Sequence, residues 1–150
     1  MIDEIEAYLR ARRSMVVATR VDGEIRASTS CFAVGPQMIL YSLVFRGSVK
    51  HRGIMQSSRV SVVIDDGFTI PMRGLEIIGT AEVLEGPEGR QGRELLTKRF
   101  PDLEGMWDDP RVLVLRITPD RVRYTDWVHG IGQSREASLT PRRSGERLPD

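Results

Sequence analysis

The sequence predicts a mainly β, α+β fold: a six-stranded antiparallel barrel with short flanking helices. Three observations carry that prediction. Runs rich in β-branched residues recur from Met15 to Tyr124. Compact turn signals punctuate them: Asp22-Gly23, Gly35-Pro36-Gln37 and Asp65-Asp66-Gly67. Helical spacing of apolar residues is confined to short stretches near Ile5, Ile54 and Leu95.

The 150 residues suit one domain, long enough to bury about two-thirds of the surface its unfolded chain exposes. With 29% charged residues and a formal net charge of +1, the surface is not built for nucleic acid, and any cation cluster acts locally. Cys31 is the single cysteine. It excludes an intrachain disulfide or a cysteine-built zinc site and fits the reducing cytoplasm. Met1 to Arg13 has neither the apolar core of a secretory signal nor the length of a membrane span, so a soluble cytoplasmic chain without a membrane partner is expected.

In chain order, Asp3 is a candidate cap for a helix over Asp3 to Arg13, with Ile5, Tyr8 and Leu9 on its apolar face. Strand one, Met15 to Thr19, turns at Asp22-Gly23 into strand two, Ile25 to Val34. Gly35-Pro36-Gln37 leads to strand three, Met38 to Leu43. Ser48 is a good N-cap for a short helix over Val49 to Met55. Val60 to Ile64 and Leu75 to Leu84 read as the next strands, with Gly79 marking a bulge or a close backbone approach. A charged helix carrying Leu95, Leu96 and Phe100 stops at Pro101, and Trp107 to Pro110 forms a surface loop. The last strand runs from Val112 to Tyr124, broken by Pro119-Asp120 and continued in alternation. The domain closes near residue 130; residues 131–150 read as a mobile tail or an arm laid over a partner.

Arg26 to His51 is the stretch with the most chemistry. Hydroxyl residues on strand two precede a cationic Gly-Ser loop that opens a helix, a combination suited to a flat polar ligand bearing a phosphate. Four local motifs stand in order: Arg26 to Cys31, Tyr41-Ser42, Gly47-Ser48-Val49-Lys50, and Arg73-Gly74 running to Glu82. With Pro119 to Tyr124 closing the last strand, the chain resembles the pyridoxamine-phosphate-oxidase-like flavin-binding split-barrel superfamily.

That resemblance implies a split barrel and a homodimer holding FMN at its interface. Arg26, Ser28 and Thr29 would line the ring or ribityl chain, Tyr41 and Ser42 would stand at the ring edge, and Ser48 and Lys50 would meet the phosphate. Trp127 is the partner's candidate contribution. The implied activity is an FMN-dependent oxidoreductase using a nicotinamide donor or a small organic substrate, with F420-dependent reduction or non-catalytic flavin or haem binding as alternatives. Arg46, Arg52 and Arg73 leave room for the acidic tail of F420, and His51 and His129 are the candidate haem ligands.

The departures are specific. Val49 stands where such an oxidase often has a second phosphate-binding cation, and Gly74 where it often has a flavin-contacting Gln. Thr125 takes the place of a Trp, and the tail lacks the His-containing pyridoxine-phosphate signature, so a true pyridoxamine phosphate oxidase is not expected. No side-chain nucleophile constellation, zinc spacing, Walker loop or Rossmann fingerprint is present, and Asp108-Asp109 reads as a solvated turn. No metal ligand set or catalytic side chain is assigned.

Overall fold

The computed structural model describes residues 1–139. Eight strands form one antiparallel sheet: β1 (Ser14–Val21), β2 (Glu24–Cys31), β3 (Ala33–Val34), β4 (Leu40–Phe45), β5 (Arg59–Asp65), β6 (Arg73–Leu84), β7 (Val112–Asp126) and β8 (Ser134–Ser138). The α-helices are α1 (Ile2–Arg10), α2 (Val49–Gln56) and α3 (Arg90–Arg99). The strand order is β2-β1-β5-β6-β7-β4-β3, and β8 is added to β7.

β2 and β3 are two halves of one run, parted at Phe32. The first half pairs with β1 and the second with β4, so the strand path ends in the run where it began. This closes the sheet into a split barrel. The expected six strands are all present; the count rises to eight because strand two changes partner and because β8 forms.

Turn chemistry sets the registers. Asp22 and Gly23 both take positive φ, 52° and 82°, as a two-residue hairpin turn requires, and Val21 pairs with Glu24 across it. Alternation along β1 then buries Met15, Val17, Thr19 and Val21 and turns Val16 outward. Gln37 and Met38 also take left-handed φ, 59° and 58°. The turn therefore consumes Met38, and the next strand begins at Leu40 and reaches Phe45.

The two irregularities expected at Gly79 and at Pro119-Asp120 are one bulge. Ile78 pairs with Arg121 and Gly79 with Pro119, leaving Asp120 as the extra residue. Pro119 has no N–H to give, and a Cβ on Gly79 would lie 2.5 Å from the Thr118 carbonyl oxygen.

α1 buries Ile5, Tyr8 and Leu9 against the barrel core. It starts at Ile2, which places Asp3 inside the first turn rather than at the cap, and it ends at Arg10 instead of Arg13. Arg99 of α3 closes that end by donating to the carbonyls of Arg10, at 3.0 Å, and Arg12. A second core packs Leu96 of α3 against Ala33, Tyr41, Leu84 and Val114. Trp107 joins its margin through a short 3-10 stretch, Pro101–Asp108, and its indole N–H donates to Thr97 Oγ1 at 2.8 Å. The adjacent Asp109 is held at about 2 by the Arg111 guanidinium, a solvated ion pair.

The stretch after residue 130 departs from the expected tail. Ser134–Ser138 pairs with Thr125 back to Arg121, and Leu139 packs against the barrel core. The remainder of the expected tail, 140–150, lies outside the described residues. Among the described residues, no helix is long and apolar enough to cross a membrane.

Gly79→Ala forces a buried β-carbon against backbone. It is expected to cost about 1–3 kcal/mol, the range for overpacking a tight interior, read as a lower urea midpoint with an unchanged slope.

Candidate functional site

The ladder between β3 and β4 ends at Ala33 and Tyr41. One residue further, the fully buried Ser42 (0% exposed) donates its hydroxyl to the Cys31 carbonyl at 2.6 Å. Beyond this fork β2 and β4 separate and enclose a groove of about 430 Å³. Its walls are Arg26 to Cys31 on one side and Leu43 to Phe45 on the other, and Ser48 to Lys50 close one end. Because β2 pairs only with β1, its second backbone edge borders this opening, and no residue of β2 is fully buried.

The closing end has the chemistry of an anion site. Ser48 caps α2, accepting from the His51 N–H at 3.2 Å, which leaves its own hydroxyl proton free to donate. The N–H groups of Val49 and Lys50 lie in the first turn, where no intrahelical carbonyl can reach them. Lys50 Nζ donates to Ser30 Oγ. Burial lowers the Lys50 pKa from its ordinary value, with the neighbouring Cys31 acting in the opposite direction. The Cys31 thiol, also lining the groove, is pushed up by its own burial and stays protonated at neutral pH.

Neither Lys50 nor Arg26 has a carboxylate partner among the described residues, and no acidic side chain lines the groove. Two unpaired cations therefore face a cleft furnished with hydroxyls and with the apolar surfaces of Val44, Phe45 and Val49.

The structure gathers Arg26, Ser28, Thr29, Ser48 and Lys50 around this groove and separates the other candidates from it. Arg26 and Ser28 pair with Thr19 and Val17 of the inward face, whereas Thr29 pairs with the outward Val16. Thr29 thus borders the groove from the outer side of β2, not beside Ser28. Tyr41 is buried in the second core, its hydroxyl donating to Gln91 Oε1 at 3.4 Å. Gly92 and Gly35 leave no room for a Cβ beside that ring. Ser42 pins the fork rather than lining the opening. Trp127 begins a short 3-10 turn after β7, donating its backbone N–H to the Met72 carbonyl at 2.9 Å, and lines no part of the groove. Gly74 of β6 pairs with Thr125 of β7, also away from it. Ser30 and Cys31 also line the groove, although the sequence reading gave neither a role within the Arg26 to Cys31 motif. Alternation from Arg26 through Ser28 to Ser30 was the signal available for the former.

The family model for pyridoxamine 5'-phosphate oxidase matches residues 1–126. The chain belongs to this family. Among solved structures, a haem-binding protein from Mycobacterium smegmatis is similar with a TM-score of 0.75 at 20% identity, over 89% of this chain and 57% of its own. HutZ, a haem storage protein from Vibrio cholerae, gives a TM-score of 0.69 at 17% identity, over 78% of this chain and 88% of its own. General Stress Protein 26 from Bacillus anthracis gives 0.64 at 22% identity, over 81% and 91% respectively. At these identities the likeness is one of fold, and the chain spans little more than half of the mycobacterial protein. No curated protein matches the chain.

Within this family fold, the α2 end of the groove holds its cation at a cost. A lowered folded-state pKa means that the empty protein disfavours the ammonium at every pH below that value, and the penalty fades as pH rises through it. An anion reverses the preference, because only the ammonium attracts it. Affinity for a phosphate monoester is therefore expected to fall as pH rises through a midpoint below the ordinary lysine value of 10.5. Titrations across that range check this, with Lys50→Arg expected to abolish the step.

Proposed function

We propose that this chain binds FMN in the groove between β2 and β4, as a cytoplasmic homodimer, and works as a flavin-dependent oxidoreductase. The supporting observation is the pair of cations without carboxylate partners, Arg26 and Lys50, in a hydroxyl-lined groove at the N-terminus of α2. Lys50, the Ser48 hydroxyl and the open N–H groups of the first turn suit the phosphate dianion. Arg26, Ser28 and Ser30 suit the hydroxyl chain and the polar ring edge, and Val44 and Phe45 offer apolar surface to the ring. Bound FMN would supply the redox step, transfer of a hydride or electrons between a nicotinamide donor or small organic substrate and its ring. The protein's part is to orient the ring and neutralise its phosphate.

Three observations favour FMN over the alternatives or bear on its surroundings. The arginines that would accept the longer acidic tail of F420 are engaged elsewhere. Arg46 pairs with Glu85 at 2.7 Å, Arg52 lies 3.8 Å from Asp22, and Arg73 begins β6 outside the groove. Haem binding is the second reading, supported by the names of two structural neighbours. Against it, His51 Nδ1 accepts the Gly47 N–H at 3.1 Å. The neutral ring then carries its proton on Nε2, the atom a haem iron would need. The homodimer reading is supported by the outer sheet face, where Val16, Ile25 and Val63 share one side and are 38%, 75% and 46% exposed.

The absorbance spectrum of the purified protein, followed by titration with FMN, tests the cofactor. Flavin bands and saturable uptake are expected; a Soret band, or a folded protein that ignores FMN, overturns the reading. Lys50→Ala is expected to weaken FMN binding by about 1.5–3 kcal/mol, the range for a hydrogen bond to a charged group. Oxidation of reduced nicotinamides by the loaded protein separates an enzyme from a flavin carrier. Ile25→Glu is expected to shift the dimer to monomer in sedimentation, since it sets a charge in the apolar face.

A further inference from the structure

A second cluster lies away from the flavin groove and rests on none of the reasoning above. Glu4 of α1, Asp126 at the end of β7 and His129 in the following 3-10 turn each present one ligand atom, and these atoms lie within 4.8 Å of one another. Asp126 is the fixed member. It is 8% exposed, and its Oδ1 accepts the Val128 N–H at 2.9 Å, which sets the orientation of the carboxylate. Its Oδ2 lies 3.9 Å from His129 Nε2. A nearly buried carboxylate thus faces a histidine nitrogen at a distance too long for a direct hydrogen bond but one that two bonds to a single ion can span.

We propose that Glu4, Asp126 and His129 form a binding site for a divalent transition-metal ion of the zinc class. One imidazole and two carboxylates make a nitrogen and oxygen donor set that zinc, manganese or iron(II) accepts. Bonds of about 2.0–2.2 Å place tetrahedral ligand atoms about 3.4 Å apart, so the cluster must tighten by roughly 1 Å. Asp126 need not move, because Glu4 and His129 are exposed and swing from the surface. Grooves of about 220 Å³ and 440 Å³ flank the cluster and leave the remaining coordination positions open to water.

The surrounding cations define how the site is tuned. Arg135 holds Glu4 Oε2 at 3.0 Å, and Arg12 and Arg73 line the larger groove. Arg135 competes with an ion for Glu4, while the second oxygen of Glu4 remains available. The ion would tie α1 to the end of β7, joining the two ends of the described chain.

The test uses the full chain after treatment with a chelator, with cobalt(II) as the spectroscopic probe and zinc as its competitor. One cobalt per chain is expected, with visible ligand-field bands that zinc removes, together with a metal-dependent rise in Tm. His129→Ala and Glu4→Gln are surface changes that should leave the fold intact and weaken uptake about tenfold or more. Arg135→Gln should tighten it several-fold. His51→Ala, which changes the other histidine, should leave the titration unchanged. The proposal is overturned if the stripped protein gives neither cobalt bands nor a Tm rise, or if His129→Ala retains both.

Discussion

The hydrogen bond from the Ser42 hydroxyl to the Cys31 carbonyl stands where one strand changes partners. A barrel of this size closes only if its first and last strands meet, and here they are the same run of chain, paired with β1 before Phe32 and with β4 after it. At the crossover the backbone ladder cannot serve both neighbours. A side-chain hydroxyl takes over at the fork, and beyond it the two strands part. An open strand edge invites association with other chains. β2 limits that with hydroxyls and Arg26 in place of a flat apolar surface. The feature that closes the barrel is therefore the feature that opens the groove.

Electrostatics sharpen what the topology provides. Lys50 is drawn under β2 by its bond to Ser30, away from bulk water and without a carboxylate. Such burial is unfavourable in the empty protein, so it must be maintained by the packing around it: Gly53 of α2 lies so close to Thr19 and Val21 that a Cβ would approach each within 2.7 Å. That contact presses the helix onto β1 and fixes the position of its first turn. A site whose charge is already desolvated and oriented loses less freedom when an anion arrives. Ser48 is held the same way, its oxygen accepting within its own helix while its hydroxyl proton is left toward the groove.

Most of the element order was legible because turn chemistry is local. Asp22-Gly23, Ser48 and Gly79 each announce a backbone feature through their own conformational preferences, and each marks the expected feature. Side-chain direction was less legible. Ser28 and Thr29 are both hydroxyl residues, but period-two alternation sends them to opposite faces. Tyr41 and Ser42 are separated the same way, one under α3 and one at the fork. β8 was hidden for a different reason. Ser134 to Ser138 has little strand propensity and pairs because β7 offers an edge, a tertiary effect that overrides local preference. Asp126 and His129 stand only three residues apart, but Glu4 was not legible beside them, since the fold brings it from the opposite end of the described chain.

The division of residues between the two sides of β2 also bears on why one chain would be insufficient for the proposed flavin site. The groove supplies a phosphate end and one polar wall, while Gly74 and Trp127, the positions matched to ring contacts, lie off the groove within the same chain. Val49 adds an apolar surface where a second cation would otherwise strengthen the phosphate grip. In the proposed dimer the outer face bearing Val16, Ile25 and Thr29 would meet its counterpart, and Thr29 would stand at the seam between interface and groove. Dimer formation and cofactor binding would then be coupled through β2: ordering its free edge from one side lowers the entropic cost of ordering it from the other.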